Sequence, residues 1–316
     1  MKKNQSWTFF LVLIVVGVAA WYFNKNFISN LTDQNTAKID QKNAIKMLTE
    51  KLIFATTSST GNTISSIDAN GKTQILFTDA GDAVKIKTIG TLSQDSLEVP
   101  VIFDKNLLFA VKLDGSSGKQ SLAEFTADSP DVALSPDGKL ISYITFSNVE
   151  KEYGFTLKVA DRNGKNLKQI LTSPYLLSNP VWATDQKSVY YVENNGSNIS
   201  IVKTQLETAK EQKIYTTGEN IGSLRVMFGQ ILFSKNPEDK NESTLFAMTE
   251  TSPAKSILTE KGSIYYPSIS SDGKNIAYLL RPQASITTTG DIKITNTSGK
   301  NTKTLIKGIN ILGWLP

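Results

Sequence analysis

The order of apolar and polar positions divides the chain into an apolar amino-terminal segment, a polar stretch and a long series of short apolar runs. Residues 7–23 contain no charged side chain and have aromatic residues at both ends. A helix of this length reaches about 25 Å, the short end of what spans a bilayer. Because Lys2 and Lys3 precede it, the positive-inside rule predicts a transmembrane signal anchor that keeps residues 1–6 in the cytoplasm.

A cleaved signal peptide is the alternative interpretation of the same segment. Val18-Ala19-Ala20 has small residues of the kind that a signal peptidase cuts after. The apolar run continues past Ala20 into aromatic residues, and this continuation favours the uncleaved anchor.

The polar stretch 24–51 is predicted to be a short amphipathic stalk between the membrane and the globular part. It has no Pro or Gly, and its apolar residues form a weak helical stripe made of Ile39, Ile45, Leu48 and Leu52.

A unit of two short apolar strands joined by an Asp-Gly type of turn recurs in the rest of the chain. Clear copies cover 133–144, 181–192 and 268–279, and degraded copies cover 101–111 and 226–233. Asp137, Asp185 and Asp272 occupy equivalent turn positions. We interpret them as turn residues and not as a ring of metal ligands, because an Asp carboxylate accepts hydrogen bonds from the local backbone.

A second series of hairpin turns, at 67–72, 159–165 and 294–300, keeps a period of about 45 residues. Four strands in about 45 residues make one propeller blade. The second strands of the blades are expected to start at Leu52, Leu107, Leu140, Ser188, Ile231 and Asn275. The pattern therefore predicts an all-β fold, a six-bladed β-propeller of four-stranded blades, over residues 52–316.

The two ends of this region complement each other. Residues 311–315 match the strand that precedes the Asp-Gly turn, and residues 51–55 match the strand that follows it. We therefore expect the carboxyl-terminal strand 309–316 to complete the first blade, which leaves no exposed sheet edge between the first and last blades.

The repeats at 135–143 and 270–278 resemble those of TolB-like β-propellers, a WD-like repeat family. The resemblance covers about Leu52 to Pro316, the propeller part only. It implies six four-stranded blades and a role in protein or peptide binding in the bacterial cell envelope. The α/β domain that precedes the propeller in TolB has no room between Phe23 and Leu52, so the resemblance does not extend to TolB's own partners.

The composition restricts the chemistry that the chain can perform. It contains no Cys and no His, which excludes disulfides, thiolate metal sites and Ser-His or Cys-His nucleophiles. The net charge of +5 comes from scattered residues, and this predicts no nucleic-acid interface. With no nucleophile-elbow motif, we expect no enzyme, no cofactor and no metal. The alternative is a small-molecule or glycan-active propeller enzyme that uses channel carboxylates or a metal.

Arginine and tryptophan occupy few positions. The three arginines, Arg162, Arg225 and Arg281, resemble the carboxylate-binding triad of sialidase-type propellers, but Arg162 is in a hairpin tip and is expected to face away from the channel. No triad is therefore predicted. Trp182 and Trp314 share one repeat position, where packing between blades is the expected role.

A non-catalytic binding module is the leading functional hypothesis, since a propeller displays loops from every blade around one channel mouth. The loops expected to carry the ligand are 147–154, 174–179, 217–220, 236–243, 260–266 and 281–290. Within or beside them, Tyr175, Asn179, Tyr265 and Arg281 are the candidate binding residues, because Tyr and Arg are enriched among residues that dominate interface energetics. Tyr266 precedes Pro267 at a strand start and is expected to be structural.

The expected partner is an envelope protein or peptide. The expected location is the cell membrane, single-pass, with the amino terminus cytoplasmic and the propeller periplasmic or extracellular. Secretion after signal-peptide cleavage is the alternative. A third interpretation, a subunit of a larger envelope machine, predicts one dominant partner.

Overall fold

The computed structural model describes residues 37–38, 40–79, 86–90, 92–93, 96–103, 107–113, 119–124, 132–147, 154–237, 240–282 and 289–315. The predicted transmembrane segment 7–23 and the first part of the predicted stalk lie outside the described residues. Within the described part of the chain, no helix is long and apolar enough to cross a membrane.

The described residues form strands β1 (Lys51–Ser58), β2 (Gly61–Ile67), β3 (Thr73–Thr78), β4 (Ile86–Ile89), β5 (Glu98–Phe103), β6 (Leu107–Lys112), β7 (Lys119–Glu124), β8 (Val132–Leu134), β9 (Leu140–Ser147), β10 (Gly154–Asp161), β11 (Lys168–Ser173), β12 (Leu176–Trp182), β13 (Ser188–Asn194), β14 (Ile199–Gln205), β15 (Glu211–Thr217), β16 (Ile221–Met227), β17 (Gln230–Lys235), β18 (Glu242–Met248), β19 (Lys255–Lys261), β20 (Ser263–Ile269), β21 (Asn275–Arg281), β22 (Gly290–Asn296), β23 (Lys303–Gly308) and β24 (Asn310–Leu315).

These strands form six four-stranded sheets whose neighbouring strands are antiparallel. Sheet 1 has the order β24-β1-β2-β3. Sheets 2 to 6 follow in chain order as β4 to β7, β8 to β11, β12 to β15, β16 to β19 and β20 to β23. Among the first strands of the sheets, β16 contacts β20 and β20 contacts β24, so the first strands lie side by side around the axis of the ring. Fourth strands such as β11 and β15 consist mostly of exposed and half-buried residues and lie at the outer rim of the ring.

The core consists of apolar clusters between successive sheets, and one cluster joins sheet 6 back to sheet 1. Alternate residues of one strand face opposite neighbours: Tyr190 packs toward sheet 5, whereas Tyr191 packs toward sheet 3. Because both faces of each sheet are buried, the strands read as continuous apolar runs. The all-β propeller with four-stranded blades is confirmed.

The ring closes through hydrogen bonds between the two ends of the propeller. β24 pairs antiparallel with β1, with Leu52 opposite Trp314 and Ala55 opposite Asn310. The last strand of the chain is therefore the axial strand of sheet 1, which is the pairing that the matching end sequences predict.

The two tryptophans at the shared repeat position make equivalent contacts. The indole N–H of Trp182 donates to the Ala133 carbonyl at 3.1 Å, and that of Trp314 donates to the Ser268 carbonyl at 3.1 Å. Each bond runs from an axial strand to the axial strand of the preceding sheet. Both rings are buried, so packing between sheets is their role.

The strand assignment in the second repeat is wrong by one position. Leu107 begins the third strand of sheet 2, not the second, because the axial strand is β4. The corresponding turn sequence is Leu92-Ser93-Gln94-Asp95-Ser96, which matches Leu134 to Gly138 but lacks the glycine. The second strands then begin at regular intervals of 42 to 48 residues, at Lys51, Glu98, Leu140, Ser188, Gln230 and Asn275.

The end of the predicted stalk packs against the propeller and is not only a spacer. Residues 40–45 are helical, and Ala44 and Leu48 are buried in the cluster between sheets 6 and 1. Asp40 accepts a hydrogen bond from the Lys303 ammonium at 3.1 Å. The carboxylate of Glu50 accepts from the backbone N–H of Ser271 at 3.2 Å. Residues 40–50 therefore cover the seam at which the ring closes.

Buried tyrosines connect neighbouring sheets through carboxylates. The Tyr278 hydroxyl of sheet 6 donates to Glu260 of sheet 5 at 2.7 Å, and the Lys293 ammonium donates to the same oxygen at 2.7 Å. Tyr190 and Lys203 of sheet 4 bind Glu250 of sheet 5 in the same way. Burial, followed by the bond to Glu260, raises the pKa of Tyr278.

The raised pKa of Tyr278 predicts that the protein loses stability at alkaline pH. Because its folded-state pKa lies above the unfolded value of about 10, its contribution is complete below pH 10 and is lost as pH rises. Relative to Tyr278→Phe, the free energy of unfolding of the wild type is expected to fall by about 1.4 kcal/mol per pH unit above pH 10. Urea denaturation of both proteins at about pH 9 and about pH 11 measures this difference. A difference that does not change with pH contradicts the raised pKa.

Candidate functional site

The ring has two ends, and each end carries a different set of connections between strands. We call the turn end the one that carries the turns between first and second strands and between third and fourth strands. The loop end carries the connections between second and third strands and from one sheet to the next. In two of the predicted ligand loops, 147–154 and 281–290, most residues lie outside the described residues.

Axial strand β20 contains a bulge near the loop end. Its register against β21 shifts between Tyr265 and Ser268, and Tyr266 has a left-handed φ of 51°. The same irregularity occurs in β12, where Asn179 has a φ of 53° and precedes Pro180. A bulge re-aims side chains that a regular strand would send into the sheet interface. Tyr266 and Asn179 therefore occupy equivalent positions in two sheets.

Two arginines lie against the tyrosine rings of this bulge. The guanidinium carbon of Arg281, the last residue of β21, is 4.9 Å from the centre of the Tyr265 ring and 5.8 Å from that of Tyr266. The guanidinium carbon of Arg225, in axial strand β16, is 5.6 Å from the centre of the Tyr266 ring. These distances are typical of cation–π contacts. We call Arg225, Tyr265, Tyr266 and Arg281 the arginine–tyrosine cluster.

Arg225 is a buried cation that has no anionic partner among the residues that the structure describes. It belongs to axial strand β16, its guanidinium lies against the Tyr266 ring of axial strand β20, and the residue is 8% exposed. Among the described residues no carboxylate pairs with it, and its hydrogen bond is a long one, from Nη1 to the Leu224 carbonyl at 3.4 Å. Burial lowers the pKa of Arg225 to about 10. The group is therefore still charged at neutral pH, in surroundings that do not neutralise it.

Arg281 adds a second cation at the loop end, and no carboxylate of the described residues pairs with it. Its Nη2 donates to the Ile309 carbonyl at 2.9 Å, just before the closing strand β24. Its Nε is buried and has no hydrogen-bond partner within the described part of the chain. The backbone N–H of Tyr266 donates to the Ser223 hydroxyl at 3.0 Å, which fixes the bulge against sheet 5.

The third arginine shows the opposite arrangement at the turn end. Arg162 contacts Glu98 with both terminal nitrogens, at 3.1 Å and 3.3 Å, and Glu98 is 3% exposed. It is thus a structural ion pair away from the cluster, with one hydrogen bond from Nη2 to Glu98 Oε1 and with Nη1 donating to the Gly138 carbonyl. Its place at a hairpin agrees with the expectation that it does not join the other two arginines.

Two of the four candidate binding residues, Tyr265 and Arg281, come together in the structure. Tyr175 is 45% exposed in the connection between β11 and β12, and Asn179 lies in β12 of sheet 4. Tyr265 is not a loop residue as expected, because β19 and β20 are joined by Gly262 alone, with a φ of 110°. It is part of an axial strand and packs against the apolar cluster between sheets 6 and 1.

Sequence reasoning missed Arg225 and Tyr266. Arg225 lies inside an apolar strand sequence, where a rare arginine is itself a signal. Tyr266 was expected to be structural because of Pro267. The equivalent Asn179-Pro180 pair shows that this X-Pro step marks the bulge.

The repeated turn aspartates form hydrogen bonds within their own turns. Asp272 accepts from the Ser270 hydroxyl at 2.7 Å and from the Lys274 N–H at 3.0 Å, and these bonds lower the pKa of Asp272. Asp137 accepts equivalent bonds, and Asp185 accepts from the Lys187 N–H at 2.8 Å. Within the described residues, no group of three or more acidic side chains is placed to hold a metal ion.

A groove of about 800 Å³ lies between sheets 3 and 4 and reaches the turn end. The groove is lined by both acidic and basic side chains, which include Asp161, Lys168, Asp185, Lys203 and Glu207. None of these residues belongs to the arginine–tyrosine cluster.

The fold defines the chain as a β-propeller with four-stranded blades, and TolB-like propellers are among the similar known structures. TolB from Acinetobacter baumannii has a TM-score of 0.65 and 12% identity, over 84% of this chain and 67% of that chain. The nidogen/laminin complex gives 0.61 and 12%, over 84% and 97%. Oligogalacturonate lyase in complex with manganese gives 0.51 and 11%, over 82% and 73%. No protein-family model matches the chain.

Proposed function

We propose that this protein is a non-catalytic, membrane-anchored binding module of the bacterial cell envelope, and that its propeller binds a protein or peptide at the loop end. The observation that carries this proposal is the arginine–tyrosine cluster. It combines two guanidinium groups that lack carboxylate partners among the described residues with two tyrosine rings at an axial bulge. Arg and Tyr in desolvated surroundings are typical of residues that dominate binding energy.

The comparisons support a protein partner only by analogy of fold. One chain of the nidogen/laminin complex, a complex of two proteins, matches this chain over 97% of its own length and 84% of this chain. At 12% identity the likeness concerns the fold, so the partner of this chain is proposed from its own residues.

A propeller enzyme is the alternative function, and its motivation is the likeness to a lyase that was determined with manganese. Metal analysis of the purified protein separates the two functions. Manganese, calcium or zinc retained at a stoichiometric level favours the enzyme, and its absence after incubation with each ion favours the binding module.

The location in the membrane is part of the same proposal. It rests on the uncharged segment 7–23 and on the two lysines before it. A reporter enzyme that is active only after export, fused after Pro316, is expected to be active. Activity of a cytoplasmic reporter at that position contradicts the orientation.

Capture of the partner tests the proposed binding end. The full-length wild type, Tyr265→Ala and Phe228→Ala are each used to pull proteins from solubilised membranes. Tyr265→Ala is expected to lower capture at least about tenfold, because it removes an aromatic ring from the cluster. Phe228 is the matched control, an aromatic residue that is 44% exposed in a turn at the turn end.

Folding of each variant is checked by its thermal unfolding midpoint, since Tyr265 also packs against the seam. Reduced capture by folded Phe228→Ala, with normal capture by Tyr265→Ala, contradicts the proposed end.

A further inference from the structure

We infer that the arginine–tyrosine cluster binds the carboxylate of an acidic peptide segment and that Arg225 is the counter-ion of that carboxylate. The carboxylate belongs either to an Asp or Glu side chain or to the carboxyl terminus of the segment. This inference rests on the proposed function, because it names the chemistry by which the same site recognises its partner.

Arg225 is a buried charge for which the described part of the chain supplies no carboxylate. Desolvating a charge is unfavourable unless it is paired and hydrogen-bonded. Arg225 is more than nine-tenths buried, and its hydrogen bond is 3.4 Å long. A guanidinium has five N–H donors in a fork that matches a carboxylate. The remaining donors of Arg225 are therefore the part of the structure that a carboxylate ligand would satisfy.

Arg162 is the example, in this chain, of an arginine with a structural role. Its two terminal nitrogens lie 3.1 Å and 3.3 Å from the oxygens of the buried Glu98 carboxylate. The chain otherwise uses lysine as its cation, with 31 lysines and three arginines. Arg225 carries the same guanidinium group as Arg162, but no carboxylate of the described residues pairs with it.

The surroundings of Arg225 favour a slender planar anion. Because 8% of the residue is exposed, a group must be narrow to reach it. A carboxylate on a flexible stem meets this requirement, and the neighbouring Tyr265 and Tyr266 rings offer apolar surface to the stem. Arg281, with its unpartnered Nε, lies against the same rings and adds a second positive charge.

Three peptides test the inference with the full-length protein in detergent micelles. The first is acetyl-Ala-Ala-Glu-Ala-Ala-amide, the second has Gln in place of Glu, and the third has Gln and a free carboxyl terminus. We expect the first or the third to bind at least about tenfold more tightly than the second in calorimetric titration. The peptide that binds identifies the source of the carboxylate. Equal binding of all three, or no binding at millimolar concentration, overturns the inference.

Variants of two arginines connect the preference to Arg225. Arg225→Met is expected to abolish the carboxylate preference and to keep or raise the unfolding midpoint, since it removes an uncompensated buried charge. Arg162→Met is the matched control: it leaves Glu98 buried and unpaired, so it is expected to lower the midpoint. Arg225→Lys keeps the charge but not the fork and is expected to weaken the preference about tenfold. A preference that persists in Arg225→Met, or in Arg225→Lys if the former does not fold, overturns the inference.

The result also distinguishes this inference from the proposed function. If Arg225→Met captures the membrane partner as well as the wild type does, while Tyr265→Ala does not, the carboxylate inference fails and the binding end stands. If neither variant changes capture, the proposed function fails as well.

Discussion

Deletion of residues 310–316 is expected to abolish cooperative folding of the propeller. The deletion removes strand β24, with the buried side chains of Ile311, Leu312 and Trp314. Loss of a buried aliphatic side chain costs about 2–5 kcal/mol and loss of a buried Trp about 3–5 kcal/mol. Together these losses approach or exceed the whole stability of a typical domain, about 5–15 kcal/mol. The deletion also exposes the edges of β1 and of the apolar seam, which promotes aggregation.

Thermal unfolding followed by circular dichroism, together with size-exclusion chromatography, measures this effect. A synthetic peptide of residues 309–316 is the control, and it is expected to restore a cooperative transition when added to freshly refolded truncated protein. A truncated protein that is monomeric and melts like the wild type contradicts closure by β24.

Leu48→Glu is expected to lower the free energy of unfolding by about 3 kcal/mol. Leu48 is 3% exposed and packs in the cluster between sheets 6 and 1, although it precedes the first strand. The substitution removes apolar contacts and places a carboxylate in an apolar cluster, where the charged form is strongly disfavoured. The effect would show that residues 40–50 are part of the folded unit.

Lys46→Glu is the matched control, because Lys46 is exposed two residues earlier in the same segment. It is expected to change the free energy of unfolding by no more than about 0.5 kcal/mol. Urea denaturation of the two variants gives the comparison. Equal stability of Leu48→Glu and the wild type would mean that the segment does not pack on the seam.

The repeated turns made most of the fold predictable. Asp137 and Asp272 lie in turns whose sequence alone specifies their conformation, because the carboxylate binds the next N–H groups and glycine takes the positive φ. Sheet 2 was misassigned because its first turn has Ser96 in place of glycine, so the turn signal was too weak to locate β4. The packing of Leu48 was not predictable, since a weak helical stripe does not specify the surface that covers it.

The site was only half predictable, and the reason is the bulge. Tyr265 and Arg281 were identified by residue type, but their contact depends on the register shift in β20, which regular strand alternation does not predict. Arg225 comes from a different sheet, about 40 residues earlier in the chain. Its proximity to Tyr266 follows from the packing of axial strands β16 and β20, a contact between sheets that the repeat pattern does not describe.

Site-specific photo-crosslinking in intact cells tests whether the loop end near Tyr265 is the binding end. A photoreactive phenylalanine analogue is placed at position 265 in one protein and at position 228 in another, both in the full-length chain. We predict that illumination crosslinks a discrete partner to position 265 and not to position 228. A partner crosslinked to position 228, with none at position 265, would contradict binding at the loop end.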